Sequence, residues 1–300
     1  MDRFLALNVF VAVGEEQSFA AAARRLALSP PTVTRAVSAL EQTLGVKLLQ
    51  RTTRIVRLTE AGARYLLDCK RVLSELEDAD QAVSGAQAEI RGTLAITGSV
   101  LFGRLFVAPL LREFMNRHAK VNVRALFVDR VVDLIDEGLD AGVRIAHLSD
   151  ASFTAIRVGA VRMVVCASPA YLKRHGVPRT PEDLKERSAL CYSADRSPPV
   201  WSFQAGKRTL SVRPKARLVV NSQEVAMQGA IAGEGLTRVL SYQAASDVKA
   251  GRLRVILSEF EPEPIPIHVI HREAKQAAAR VRAFVDFAVA ELRANPLLKA

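Results

Sequence analysis

The 300-residue chain is short of the residues that several common kinds of protein require. Its three cysteines, Cys69, Cys166 and Cys191, are too few and too scattered for a disulfide framework, which fits a reducing compartment. It has no uncharged apolar run of about 18 residues, so no transmembrane helix is expected. The opening MDRFLALNVFVAVGEEQSF lacks the basic n-region and small-residue cleavage site of a signal peptide, so a cytoplasmic location is expected instead of export. Histidine is sparse. His268 and His271 are three apart in a strand-like segment, which sends them to opposite faces and prevents them from sharing a metal ion. His118, His147 and His175 stand in loop or surface contexts with no partner pattern. Cys166, in an apolar run, and Cys191, in LCYS, read as small core residues with no base beside them. No catalytic, metal or cofactor role is therefore assigned, and an enzyme is not expected.

What the chain does have is apolar residues, at 49%, and positive charge, at a net +11. The first allows a sizeable core in two or three domains. The second suggests a polyanionic partner, but its distribution complicates that inference. Residues 1–60 carry +3, residues 61–90 carry −3, and residues 91–300 carry the whole of the surplus. Bulk charge thus does not mark a DNA-binding segment; local pattern has to. The basic C-terminal part reads either as a solvated arginine-rich surface or as a preference for anionic small molecules.

Local pattern is strongest near the start. FLALNVFVAV at 4–13, followed by Gly14 and two glutamates, predicts a helix that ends there. Ser18 is placed to cap SFAAAARRLAL, in which Phe19, Ala23 and Leu26 repeat at helical spacing. Ser29 caps the next helix, whose first turn tolerates Pro30 and Pro31, and Gly45 ends it. Val33, Val37, Leu40 and Leu44 form its one buried stripe. The opposite side carries Thr32, Thr34, Arg35 and Ser38: short hydroxyls able to approach bases and phosphates, and a guanidinium that can bridge guanine O6 and N7. Two short helices around a tight break are a helix-turn-helix, in which the second helix enters the major groove. The alternation in KLLQRTTRIVRL predicts a two-stranded wing, with Arg51 and Arg54 aimed at the phosphate backbone. An ordinary surface helix pair with a basic hairpin would share much of this pattern.

The stretch SFAAAARRLALSPPTVTRAVSALEQTLGVKLLQRTTRIVRLTEAG resembles the N-terminal domain of LysR-type transcriptional regulators. The resemblance rests on the alanine-rich second helix, the Ser-x-Pro opening of the recognition helix, Thr34-Arg35, Leu40-Glu41, Leu44-Gly45, Arg51 and Leu58-Thr59-Glu60-Ala61-Gly62. Thr34 stands where that family usually has serine, and Leu49 where it usually has phenylalanine. Thr59 is placed to cap a helix running to about residue 88. Leu66, Cys69, Leu73, Leu76 and Val83 repeat on it at 4-3 spacing, interrupted by Asp80, and predict a coiled-coil seam. Taken alone, that helix could equally pack on its own domain; the resemblance implies a dimerising linker.

The remainder alternates strands and helices: TLAITGS, LFGRLFVAPLLREFMNRH, VNVRALFV, a helix at VVDLIDEG, DAGVRIA, VRMVVCASPAYL, RLVVNSQEVAMQGAIAGEGLTRVLS and IPIHVIH before a final helix buried through Val281, Phe284, Val285, Ala288 and Leu292. This predicts a mostly parallel α/β sheet. GTLAITGS, VDLIDEGLDAGVRI, ASPAYLKRHGVPRTPEDL and AIAGEGLTRVLSYQAA are similar to the effector-binding region of the same family, although RHAKVNV lacks its usual proline. The resemblance implies an α/β fold class with three parts. They are a winged helix-turn-helix (1–60), a dimerising linker helix (61–90), and a periplasmic-binding-protein-like effector domain (91–300) with subdomain I at about 91–160 and 268–300 and subdomain II at about 165–261. The crossings are expected near 160–164 and 262–267, where Pro262, Pro264 and Pro266 suit an edge or crossover strand. Ligands of open α/β sheets sit beyond strand C-termini. That placement marks Ser99, Val100, Phe102, Phe127, Val128, Arg144 and Ile145 on one wall and Asn221, Ser222 and Thr237 on the other. Ser99 and Ser222 are either seats for a carboxylate at helix N-termini or simple caps, Arg144 either a ligand contact or a structural ion pair, and the phenylalanines either cleft or core. The expected partners are double-stranded DNA, a small-molecule effector, a second or further copies in a homodimer or homotetramer, and RNA polymerase; no membrane is expected.

Overall fold

The computed structural model describes residues 2–51, 56–83, 90–148, 153–193, 197, 199–272 and 279–299, with the backbone alone at 51, 74, 75 and 77–83. The N-terminal unit is three helices, α1 (Arg3–Glu16), α2 (Phe19–Arg25) and α3 (Pro30–Leu44). A two-stranded antiparallel ribbon of β1 (Leu49–Arg51) and β2 (Val56–Leu58) follows, and then the long helix α4 (Glu60–Val83). Ser18 Oγ accepts from the Ala21 N–H and Ser29 Oγ from the Thr32 N–H, so both short helices start where the sequence places their caps. Gly45 ends α3 in the left-handed region at φ 67°, which only a residue without Cβ adopts freely. Val33 and Val37 are fully buried and Leu40 nearly so, against Val9, Phe10 and Val13 of α1.

One carboxylate ties these pieces together. Glu41, on α3, is 3% exposed, and its Oε1 accepts from the N–H groups of Leu48 (2.9 Å) and Leu49 (3.0 Å) while Oε2 pairs with Lys47 at 2.9 Å. On the other side of the same turn, the Thr59 hydroxyl donates to the Lys47 carbonyl and accepts from the Gly62 N–H. A Cβ on Gly62 would sit 1.9 Å from the Leu48 carbonyl oxygen, so α4 approaches the turn more closely than any other residue would permit.

On α4 the protomer's own domain covers part of the expected seam. Leu66, Cys69 and Leu73 turn inward and pack into the core of their own helix-turn-helix, with Cys69 2% exposed. Among the described side chains of α4, Leu67, Val72 and Leu76 are the large apolar residues left exposed, at 40%, 41% and 39%; Val72 and Leu76 lie one helical turn apart. The side chains of Asp80 and Val83 lie outside the described residues.

The C-terminal part holds two five-stranded sheets. The first sheet is ordered β4 (Val121–Phe127), β3 (Gly92–Gly98), β5 (Ala141–Ile145), β14 (Ile265–His271), β6 (Thr154–Val161). The second is ordered β11 (Lys215–Val220), β8 (Ser188–Tyr192), β12 (Leu236–Leu240), β7 (Met163–Ala167), β13 (Arg254–Ile256). A hairpin of β9 (Trp201–Ala205) and β10 (Arg208–Val212) packs against the second. In each sheet a single strand, β14 or β7, opposes the direction of the others. Helix α5 (Val100–Phe102) runs through a π segment (Gly103–Val107) into α6 (Ala108–Arg117), which packs on the first sheet beside α10 (Ala279–Ala294). Helices α7 (Pro169–His175), α8 (Gln223–Ile231) and α9 (Ser241–Lys249) belong to the second unit.

One expectation for this part changes and one choice is resolved. VVDLIDEG is a run of turns: Asp133 caps the Ile135 and Asp136 N–H groups, the Leu139 N–H reaches back to the Leu134 carbonyl, and Gly138 at φ 61° closes the segment. Of the two alternatives for the proline-bearing strand, edge or crossover, β14 is the crossover: it enters the first sheet from the second and lies in its interior, where Pro266 is tolerated because pairing with β5 begins one residue later, at Ile267.

Arg162 alone separates β6 from β7, so the C-terminus of β6 lies at the hinge between the sheets. The strand directions then bring the C-terminal ends of β3, β4 and β5 to the hinge from one side and those of β8, β11 and β12 from the other. Arg162 pairs with Glu261 at 3.0 Å, which ties the two crossovers together.

Burial alone would raise the Glu41 carboxyl, but Lys47 and the Leu49 and Leu48 N–H groups outweigh it and hold the carboxyl below its ordinary value. Glu41→Ala leaves two buried N–H donors unsatisfied and should lower the opening free energy at the Leu48 and Leu49 amides by about 2–3 kcal/mol, measured by native-state hydrogen exchange. The thermal advantage of the parent protein over Glu41→Gln should be full above the unfolded glutamate pKa of about 4.3 and fade as pH falls through the lower folded value.

Candidate nucleic-acid interface and effector cleft

The stripe that anchors α3 decides what the helix shows to solvent. Pro30, Pro31, Thr34, Arg35 and Ser38 are exposed, as is Ser29 in front of them. Thr32 is half-buried, its hydroxyl 2.8 Å from that of Ser29. The Arg35 Nε donates to the Pro31 carbonyl at 3.4 Å, a long bond within its own helix. The surface is therefore a cluster of hydroxyls with one arginine, on a helix whose other side is fixed in a core. Arg51 ends β1, with its side chain outside the described residues; Arg54 and the tip of the ribbon also lie outside them. Glu15 of α1 pairs with Arg25 of α2 at 2.7 Å and with Lys70 of α4, so these three helices are cross-linked by charge.

At the hinge, Ser99, Val100, Phe127, Val128, Arg144 and Ile145 gather at the ends of β3, β4 and β5, and the Val128 N–H reaches the Gly98 carbonyl. Asn221 and Ser222 follow the end of β11 on the other wall. Neither Ser99 nor Ser222 caps its helix with its side chain. The Val100 N–H donates instead to Asp129 Oδ1 at 3.0 Å. Phe127 lies over Gly103, where a Cβ would come within 2.3 Å of its ring.

Two of the expected cleft residues are core. Phe102 is 1% exposed, its ring 4.7 Å from Phe106 and edge-on to Tyr242 at 5.4 Å, because the helical turn after Ser99 rolls it onto the sheet. Thr237 is fully buried on the face it shares with Val239, which packs under α8. Arg144 makes no ion pair among the described residues; its guanidinium donates to the Val132 carbonyl and lies 5.8 Å over the Phe153 ring, beside a cavity of about 130 Å³.

Residues that sequence reasoning passed over span the two walls. Tyr242 of α9 sits in the core of the first unit, its hydroxyl accepting from Gln243 Nε2 at 3.5 Å, and burial pushes its phenol up to about 12. Arg104 pairs with Glu224, and burial together with the charge of Asp129 raises Tyr192. Arg238, on β12, is bonded to the Ser202 carbonyl at 2.6 Å and has no acidic partner among the described residues. A lone charge inside the otherwise apolar strand LTRVL was the available signal for it. The three cysteines are buried, and burial raises Cys69 and Cys191 to about 11 and Cys166 to about 12, the opposite of a reactive thiolate. Among the described residues no helix is long and apolar enough to cross a membrane.

Residues 4–63 match the family described as bacterial regulatory helix-turn-helix protein, lysR family, and residues 87–293 match the LysR substrate binding domain. The chain belongs to the LysR family. It is a ligand-responsive, DNA-binding transcriptional regulator with an N-terminal helix-turn-helix and a C-terminal effector-binding domain. It is 32% identical to the HTH-type transcriptional activator AaeR of Escherichia coli (strain K12), over 95% of this chain and 93% of that protein. It is 30% identical to the HTH-type transcriptional repressor PA14_22550 of Pseudomonas aeruginosa (strain UCBPP-PA14), over 99% and 94%. Among solved structures, CrgA, a LysR-type transcriptional regulator from Neisseria meningitidis, superposes with a TM-score of 0.62 at 29% identity, covering 97% of this chain and 99% of that one.

Arg35→Ala should cost this regulator about 1–3 kcal/mol in binding and relax specificity at one base position. An equal loss on random duplex, read by fluorescence anisotropy at fixed salt, would make Arg35 a phosphate contact instead.

Proposed function

We propose that this LysR-type regulator reads an imperfect inverted repeat as a dimer or a pair of dimers, with α3 of each protomer in successive major grooves. Half-sites would then be centred about 10–10.5 bp apart or a multiple of it. Within residues 1–60, Thr34, Arg35 and Ser38 face the bases, Ser29, Pro30, Pro31 and Thr32 lie at the groove entry, and the wing arginines Arg51 and Arg54 grip phosphates. The observation that carries the reading is the two-sided build of α3: an aliphatic stripe locked in the core and a hydroxyl-and-guanidinium side in solvent.

Residues 61–90 act as the dimerising helix. The exposed Val72 and Leu76 support this, because the inward seam is already occupied by the protomer's own core. Residues 91–300 sense a small, anionic effector in the hinge cleft, near Ser99, Val100, Phe127, Val128, Arg144, Ile145, Asn221 and Ser222. Closure of the two walls on it would shift an existing equilibrium between assemblies, and with it DNA bending and contact with RNA polymerase. The work is binding rather than catalysis, and its place is the cytoplasm. A solute-binding module without DNA activity would share the cleft but has no use for the exposed side of α3.

Leu76→Glu should convert the protein to monomer in analytical ultracentrifugation and weaken binding to the full site; an unchanged dimer would remove α4 from the interface. In a thermal-shift screen of aromatic and aliphatic carboxylates, Ser99→Ala combined with Arg144→Ala should abolish the response found for the parent protein. A double variant that still responds would show the cleft assignment to be wrong.

A further inference from the structure

The two walls of the hinge each carry an arginine built in the same way. On β12, two residues before its hinge end, Arg238 donates from Nη2 to the Ser202 carbonyl and lies 5.1 Å over the Phe203 ring. Its Nε is buried and has no hydrogen-bond partner. On β5, one residue before its hinge end, Arg144 donates to the Val132 carbonyl and lies over Phe153. Beside it, directly opposite in the sheet, His268 buries an Nδ1 that also lacks a partner. Each guanidinium is thus aimed by one backbone carbonyl and one aromatic face, and neither meets a carboxylate among the described residues.

A guanidinium taken out of water without a counter-ion is costly, and proteins keep such charges where something else supplies the anion. Burial alone lowers Arg238 to about 10. A carbonyl and an aromatic face occupy only part of the five-donor fork, and the free N–H groups suit a carboxylate's two oxygens. An effector that closes the cleft must also bind both walls, because only differential contact with the closed state shifts the equilibrium.

We propose that the effector is a small dianion of the dicarboxylate class, one carboxylate held by Arg144 and the other by Arg238, so that the ligand bridges the walls. This rests on the reading of the hinge as the effector site. It adds a recognition residue, Arg238, and a charge requirement: one anionic group satisfies only one wall.

The test is isothermal titration and thermal unfolding of the full-length protein with malonate, succinate, glutarate and adipate, set against the matching monocarboxylates and neutral diamides. At least one dicarboxylate should bind and raise the melting temperature, with its monocarboxylate binding about tenfold or more weakly and its diamide not at all. Arg238→Met should lose that response while its own ligand-free melting temperature stays level or rises, because an uncompensated charge has been removed. Arg238→Lys should respond partially. A structural role for Arg238 predicts the reverse, a fall in ligand-free melting temperature with the response intact, and would overturn the proposal. So would the failure of every dicarboxylate in the series. If a monocarboxylate or a neutral diamide binds and raises the melting temperature while the dicarboxylates do not, the dianion is wrong and the effector cleft stands. If no compound of any charge does so, the cleft reading itself falls.

Discussion

The N-terminal unit depends on a single buried carboxylate. Glu41 belongs to the last turns of α3, yet its bonds are to the turn that leads into the wing, where it accepts from the Leu48 and Leu49 N–H groups and pairs with Lys47. Thr59 and Gly62 grip the same turn from the side of α4. Helix α3, the β1–β2 ribbon and helix α4 are held at fixed angles because all three meet at this turn, and such rigid positioning is what groove recognition by the proposed α3 surface requires.

From that junction the consequences run outward in two directions. Toward DNA, the stripe of Val33, Val37 and Leu40 leaves Thr34, Arg35 and Ser38 no course but solvent. Along α4, Leu66, Cys69 and Leu73 are drawn into the core, which leaves Val72 and Leu76 exposed as the stripe proposed to meet a second protomer. At the hinge, the described residues join the two sheets through Arg162 between β6 and β7, its ion pair with Glu261, the Arg104–Glu224 pair, and Tyr242 seated against Phe102 and Phe106. A joint built from single strands and discrete side-chain pairs is one that ligand binding can bias.

Much of this was legible in the sequence, for identifiable reasons. Ser18, Ser29 and Gly45 mark helix ends because capping chemistry is local. The burial of Val281, Phe284, Val285, Ala288 and Leu292 follows from helical spacing alone. The spacing on α4 left two coverings open, because 4-3 spacing identifies an apolar face without saying what covers it, and here the protomer's own domain covers Leu66, Cys69 and Leu73. VVDLIDEG has helical spacing, but Asp133 and Gly138 favour local turns over a sustained ladder. At the proposed cleft, strand order set the expected walls, but a one-residue change of parity separates buried Thr237 from half-buried Arg238, and only the lone charge in LTRVL distinguishes the two faces. Tyr242 could not be placed from sequence, since its contacts are made across the hinge.

The central claim is that the solvent side of α3 enters the major groove while the knot at Glu41 holds it there. Methylation interference at guanine N7, on duplex carrying the regulator's own binding site, probes that groove most directly. The account predicts two clusters of interfering guanines on one face of the duplex, separated by a multiple of about 10–10.5 bp. Binding indifferent to N7 methylation, with interference confined to phosphates or the minor groove, would contradict it.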